Sequence, residues 1–163
     1  MKTRGFTLLE TLMGVVILSL TILAPFTLAH FSLRSASLYK NQAVAFHLAQ
    51  EAIEYVRNRR DNNSLAGAAD WLEGLGLCRG VNGCEVDIPN NAIFNCNPCR
   101  KIKYDSASGF YNYSTGVETL FVREVKLSDV VGGREARIVV TVSWQERLIP
   151  ESFTIQENIF NWR

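Results

Sequence analysis

Four cysteines and one glutamate are the residues of this chain whose types and positions point to chemistry. Cys78 and Cys84 are separated by five residues, and Cys96-Asn97-Pro98-Cys99 follows after an eleven-residue gap. In a reducing compartment, four thiols that include a C-x-x-C suggest zinc. In an oxidising one they suggest two disulfides, with three connectivities possible. The five-residue spacing of the first pair departs from that of zinc ribbons. A thioredoxin-type redox pair at Cys96 and Cys99 needs a surrounding β-α-β pattern, and none is present. The glutamate is Glu10, the one formally charged side chain between Arg4 and Arg34. It lies inside an apolar run, where a charge at the centre of a membrane span costs about 2.5–3.5 kcal/mol on insertion scales.

No other constellation suggests catalysis. The histidines are His30 and His47, so no Ser-His-Asp or Cys-His arrangement can be built from the residues after 47. Both read as surface or interfacial bystanders. Glu118, Glu124, Asp129 and Glu135 are scattered along strand and turn candidates and read as solvated sheet faces, not acid–base pairs. There is no phosphate-binding glycine loop and no metal-ligand helix motif. The expectation is a protein that is not an enzyme, with no catalytic residue, cofactor or metal. Near-balanced charge, 17 basic against 16 acidic side chains, argues against nucleic-acid binding through bulk charge. A 47% hydrophobic composition excludes a disordered polyelectrolyte.

The apolar residues are unevenly distributed. Phe6 to Ala29 covers 24 positions, and the nineteen from Thr11 to Ala29 are all uncharged. As a helix this is about 36 Å, enough to cross a hydrocarbon core of about 30 Å. Lys2 and Arg4 precede it with no acid to offset them, which predicts a cytoplasmic N-terminus. Pro25 lacks an amide donor and should kink or loosen the helix. A secretory signal cut after Thr27-Leu28-Ala29 and a plain membrane anchor both fit the hydropathy, but neither has a use for Glu10.

Gly5-Phe6-Thr7-Leu8-Leu9-Glu10, preceded by a basic leader and followed by the apolar span, resembles the processing site of type IV prepilins and type II secretion pseudopilins. The resemblance covers about the first 28 residues. It implies peptidase cleavage between Gly5 and Phe6, N-methylation of Phe6, and a subunit-assembly role for Glu10 as fifth residue of the mature chain. It also implies inner-membrane insertion, then assembly with other pilins or pseudopilins into a surface pilus or periplasmic pseudopilus. The expected partners are the prepilin peptidase-methyltransferase, the assembly machinery and membrane lipid, with no specific nucleic-acid site. Leu48 to Arg57 resembles the same stretch of some minor pilin-like proteins, a weaker likeness because such helices are common. The alternative is a non-assembling single-pass protein whose extracytoplasmic head binds a ligand, with Tyr104, Phe110, Tyr111 and Tyr113 as a possible surface.

The expected organisation is a leader over 1–5, a membrane or filament-core helix over 6–29, an amphipathic continuation over 30–60 and a head over 61–163. In the continuation, Ala45, Leu48, Ala49, Ala52 and Val56 recur at helical spacing, with Phe46 and Ile53 beside them. The basic and Asn-rich run Arg57 to Asn63 marks its end. Within the head, 61–100 reads as a loop docked by Trp71, Leu72, Leu75 and Leu77. The topology places its cysteines outside the membrane, favouring two disulfides over zinc, with Cys78–Cys84 and Cys96–Cys99 first among the three connectivities. From 101 the period becomes two. Lys101–Tyr104, Gly109–Tyr113, Thr119–Leu127, Arg137–Trp144 and a segment after Pro150 carrying Phe153, Ile155 and Ile159 read as strands. Gly132-Gly133 marks a turn, and Trp162 is placed to close the sheet's edge. The fold class is α+β: a long N-terminal helix, its first half membrane-spanning, packed on an antiparallel sheet in the pilin manner.

Overall fold

The structure, a computed structural model, describes residues 7–146 and 149–162. Gly5 and Phe6, the expected cleavage and methylation positions, lie outside these residues, as do Lys2 and Arg4. Among the described residues are one long helix, α1 (Leu8–Leu65), a 3-10 turn (Gly76–Arg79) and seven strands. The strands are β1 (Cys84–Asp87), β2 (Ala92–Asn95), β3 (Lys101–Asp105), β4 (Phe110–Asn112), β5 (Val117–Val131), β6 (Glu135–Glu146) and β7 (Ile149–Phe160). The chain divides into two compact units, Met1–Asn41 and Gln42–Arg163. The fold class is α+β, as expected.

In the first unit the helix is assigned without interruption through Pro25, so the expected kink does not break it. Proline removes one amide donor, and the turns on either side retain their own bonds. The hydroxyls in this apolar stretch bond back to the preceding turn. Thr11 Oγ1 donates to Leu8 O (2.9 Å), Ser19 Oγ to Val15 O (2.7 Å) and Thr21 Oγ1 to Leu18 O (2.8 Å). Polar side chains that satisfy themselves in this way can enter hydrocarbon without an orphaned donor.

The second unit is built on the alanine-rich face of the helix. Ala45, Ala49, Ala52 and Val56 are completely buried, with Leu48 and Ile53 nearly so. Small side chains let the sheet approach closely, and larger ones across the interface fill the space. Those partners are the inward rows of the sheet: Phe121, Val125 and Leu127 on β5, and Ile138, Val140, Val142 and Trp144 on β6. Their neighbours at odd offsets remain partly exposed, the period-two pattern of a half-buried sheet.

β5 is the centre of the sheet. β6 pairs along one side of it, while β3 and β1 share the other. β5, β6 and β7 form an antiparallel meander, and β7 holds one register with β6 over its length, Pro150 included. Pro150 is tolerated because β7 is paired on one side only. Gly133, at φ +71°, sits in the turn between β5 and β6.

Three features differ from the sequence expectation. The helix ends at Leu65, beyond the Asn run. Gly67, at φ +71°, is the stop: its amide bonds Ser64 O while Ala68 N bonds Asn63 O, a Schellman closure. Asn63 donates instead to the carbonyls of Trp71 and Glu73, docking the next segment. Residues 61–100 are also more ordered than a loop, because β1 and β2 form a hairpin within them. Finally, Trp162 does not cover the sheet's edge. It is 72% exposed, 5.5 Å from the Arg60 guanidinium and 6.4 Å from the Phe160 ring.

Candidate functional site

The N-terminal end of α1 is capped by Thr7. Its Oγ1 accepts from the Glu10 amide at 3.3 Å, and its carbonyl accepts from Glu10 and Thr11. Thr7-x-x-Glu10 also has the spacing of a capping box, in which the glutamate carboxylate would bond back to the cap amide. Among the described residues only the threonine half of that exchange is made, so the cap does not engage the Glu10 carboxylate. The acid faces outward from a helix whose every described side chain from Thr7 to Arg34 is exposed. Leu9, Leu12, Val15, Ile17, Leu20 and Phe26 are each at least half exposed. Apolar surface on this scale, all round a helix, requires lipid or neighbouring helices. The helix is long and apolar enough to cross a membrane.

The histidines make ring contacts. His30 stands edge-on to Phe26 at 4.5 Å. His47 touches Phe46 and borders an open groove of about 840 Å³ between α1 and the turn after β1. Glu51, Tyr55, Asn58, Ile88 and Asn91 contribute to the same groove, where Tyr55 Oη donates to Asn91 Oδ1 at 2.9 Å. Burial raises the Tyr55 hydroxyl pKa, opposed by nearby Arg59.

The four cysteines form two disulfides, Cys78–Cys84 and Cys96–Cys99. Both are the local pairs. The first is buried in the core and ties the 3-10 turn to the start of β1. The second closes the loop between β2 and β3. The last residue of that loop, Arg100, meets β1, which carries two buried acids, Glu85 and Asp87. Arg100 answers Glu85: its backbone amide and guanidinium both bond the carboxylate, Nε at 2.7 Å and Nη2 at 2.6 Å. The same guanidinium lies 4.6 Å from the Phe94 ring and 5.2 Å from Tyr113. Asp87 accepts from the Tyr113 amide (3.1 Å) and the Asn90 side chain (3.0 Å), joining the hairpin turn to the end of β4. Each buried acid is therefore paired or hydrogen-bonded, as burial demands.

Arg123, on β5, is completely buried, a functional position the sequence pattern marks only weakly. Its Nη1 donates to Leu48 O at 2.9 Å and its Nη2 to Val86 O at 2.5 Å, with Glu51 Oε2 3.6 Å from Nη1. One side chain thus ties α1, β1 and β5 together. The signal was present: Arg123 is the polar member of the inward row Phe121, Val125, Leu127.

Of the scattered carboxylates, Glu124 pairs with Lys126 at 2.9 Å and Asp129 lies 3.7 Å from Arg79. The aromatic surface divides. Tyr113 is buried, and burial raises its hydroxyl pKa against the opposing charge of Arg123. Tyr111 stacks at a tilt on Tyr104, 5.1 Å away, while Phe110 is largely exposed. No protein-family model, curated protein or solved structure matches this chain.

Proposed function

We propose that this chain is a prepilin-like structural subunit, not an enzyme. It is inserted in the inner membrane with its N-terminus cytoplasmic, cut between Gly5 and Phe6, methylated on Phe6 and assembled into a pilus or secretion pseudopilus. The observation that carries this reading is the first half of α1, whose described side chains up to Arg34 are all exposed and mostly apolar, with a single acid five positions from the candidate cleavage site. A plain anchor needs the apolar surface but has no use for the acid. A filament uses both, since packed neighbours cover the surface and a neighbour's terminal amine can neutralise the carboxylate. The long helix on an antiparallel sheet supports the same reading as architecture, and the disulfide-closed excursion of the head favours a minor subunit over a major one. Its partners are other pilins or pseudopilins and the processing and assembly machinery.

Immunogold labelling of cells and of sheared filaments tests this directly. Label on filaments, along them or at one end, is expected. Label dispersed over the membrane and absent from every filament would instead favour a single-pass protein whose head binds a ligand.

A further inference from the structure

The Cys96–Cys99 loop holds a third potential ligand. The two sulfur atoms and a carboxylate oxygen of Glu124 lie within 4.8 Å of one another. Around a single tetrahedral ion, metal–sulfur bonds of about 2.3 Å and metal–oxygen bonds of about 2.0–2.2 Å set donors roughly 3.5–3.8 Å apart. The Glu124 oxygen is therefore within about an ångström of ligand spacing to the sulfurs, while the two bonded sulfurs must separate on reduction, by side-chain rotation, to reach it.

Their placement does not depend on the disulfide alone. Glu124 stands on β5, at the centre of the sheet. The Cys96 amide donates to Gly83 O at 3.4 Å. On the other side of the pair, the Arg100 amide and guanidinium are held by the buried Glu85 carboxylate. Both ends of the loop stay anchored if the sulfur–sulfur bond opens. Charge also balances: two thiolates and one carboxylate carry three negative charges, against a divalent ion and the Lys126 ammonium, 2.9 Å from Glu124. Two thiolates with one carboxylate suit a thiophilic ion over calcium or magnesium.

We propose that reduction of Cys96–Cys99 creates a site at which Cys96, Cys99 and Glu124 bind a thiophilic d10 cation of the Zn2+ class, with water as fourth ligand. The same loop is then closed by a disulfide in an oxidising medium and by a metal in a reducing one. The reductant is a dithiol. Its first thiolate attacks one sulfur of the pair, freeing the other cysteine and giving a mixed disulfide, and its second attacks that mixed disulfide and releases the cysteine still bound. The pair gains two electrons and two protons, the dithiol becomes a disulfide, and the metal displaces both protons from sulfur. Accessibility selects this pair: Cys78 and Cys84 are completely buried, whereas Cys99 is partly exposed. The site uses head residues alone and stands independently of the filament reading.

The test is Cd2+ titration of the full-length chain in detergent micelles, after mild phosphine treatment and removal of the phosphine. Sulfur-to-metal charge-transfer absorption reports binding. The reduced protein should bind one equivalent, and the oxidised protein should give no band. Cys99→Ser should abolish the band. Glu124→Gln, near-isosteric at a partly exposed position, should keep the fold and weaken binding by about tenfold or more. No band in the reduced protein, a band that survives Cys99→Ser, or unchanged affinity in Glu124→Gln would each overturn the proposal.

Discussion

Glu10→Ala should insert into the membrane normally and be processed, yet enter filaments on the order of a hundredfold less well. The substitution removes the charge that opposes insertion, worth about 2.5–3.5 kcal/mol at the centre of a span, so membrane residence should not suffer. Assembly should suffer, because cleavage after Gly5 would leave a positive amine on Phe6. In the proposed filament, helices packed side by side at axial offsets would let a neighbour's Glu10 neutralise that amine. Deleting one member of a pair in a low-dielectric core leaves the other uncompensated, at about 3–5 kcal/mol. Even the lower figure is about two decades in association, at about 1.4 kcal/mol each. The capping geometry sharpens this expectation. Thr7 caps the helix through its own hydroxyl, and the Glu10 carboxylate takes no part, so loss of the acid leaves the helix start intact. Immunoblots of membrane and sheared-filament fractions measure the ratio. Equal incorporation of Glu10→Ala and the parent chain would remove the assembly role assigned to Glu10.

Arg123→Ala should destabilise the head by about 3–5 kcal/mol, a large part of the stability of a domain of this size. Arg123 is completely buried and supplies charge-assisted bonds to Leu48 O and Val86 O. Truncation loses both bonds, at about 1.5–3 kcal/mol each, and opens a cavity where α1, β1 and β5 meet. Relief from burying a charge offsets part of that loss. Arg123→Met refills most of the volume without the bonds and should cost only about 1–2 kcal/mol. Urea unfolding of the full chain in micelles, followed by the fluorescence of buried Trp71 and Trp144, measures both variants. A loss below about 1 kcal/mol for Arg123→Ala would show that the arginine is not what ties helix to sheet.

The sequence made the periodic parts of the fold legible. Ala45, Leu48, Ala49, Ala52 and Val56 repeat at helical spacing, and all are buried. The row Ile138, Val140, Val142, Trp144 alternates, and all four face the core. Both patterns are local consequences of a two-sided environment, which is why a single chain reveals them. The β1–β2 hairpin has no such signature, because β1 is buried on both faces. Cys84 and Val86 lie in the core, while Glu85 and Asp87 sit under residues as distant as Arg100 and Tyr113. A strand that buries two acids reads as a polar loop until their partners are known. The helix end is hard to read for a related reason. Asn63 resembles a stop signal, but its side chain reaches Trp71 and Glu73, and the left-handed residue that ends the helix is Gly67. Glu124 has the sequence signature of a solvated strand residue, and its closeness to Cys96 and Cys99 arises only from the packing of the loop on β5.

Intact-mass analysis of the protein purified from membranes or filaments bears most directly on the prepilin reading. The predicted result is a chain that begins at Phe6, carries one added methyl group and has lost Met1 to Gly5. A chain that begins at Met1, or one cut after Ala29, would contradict it.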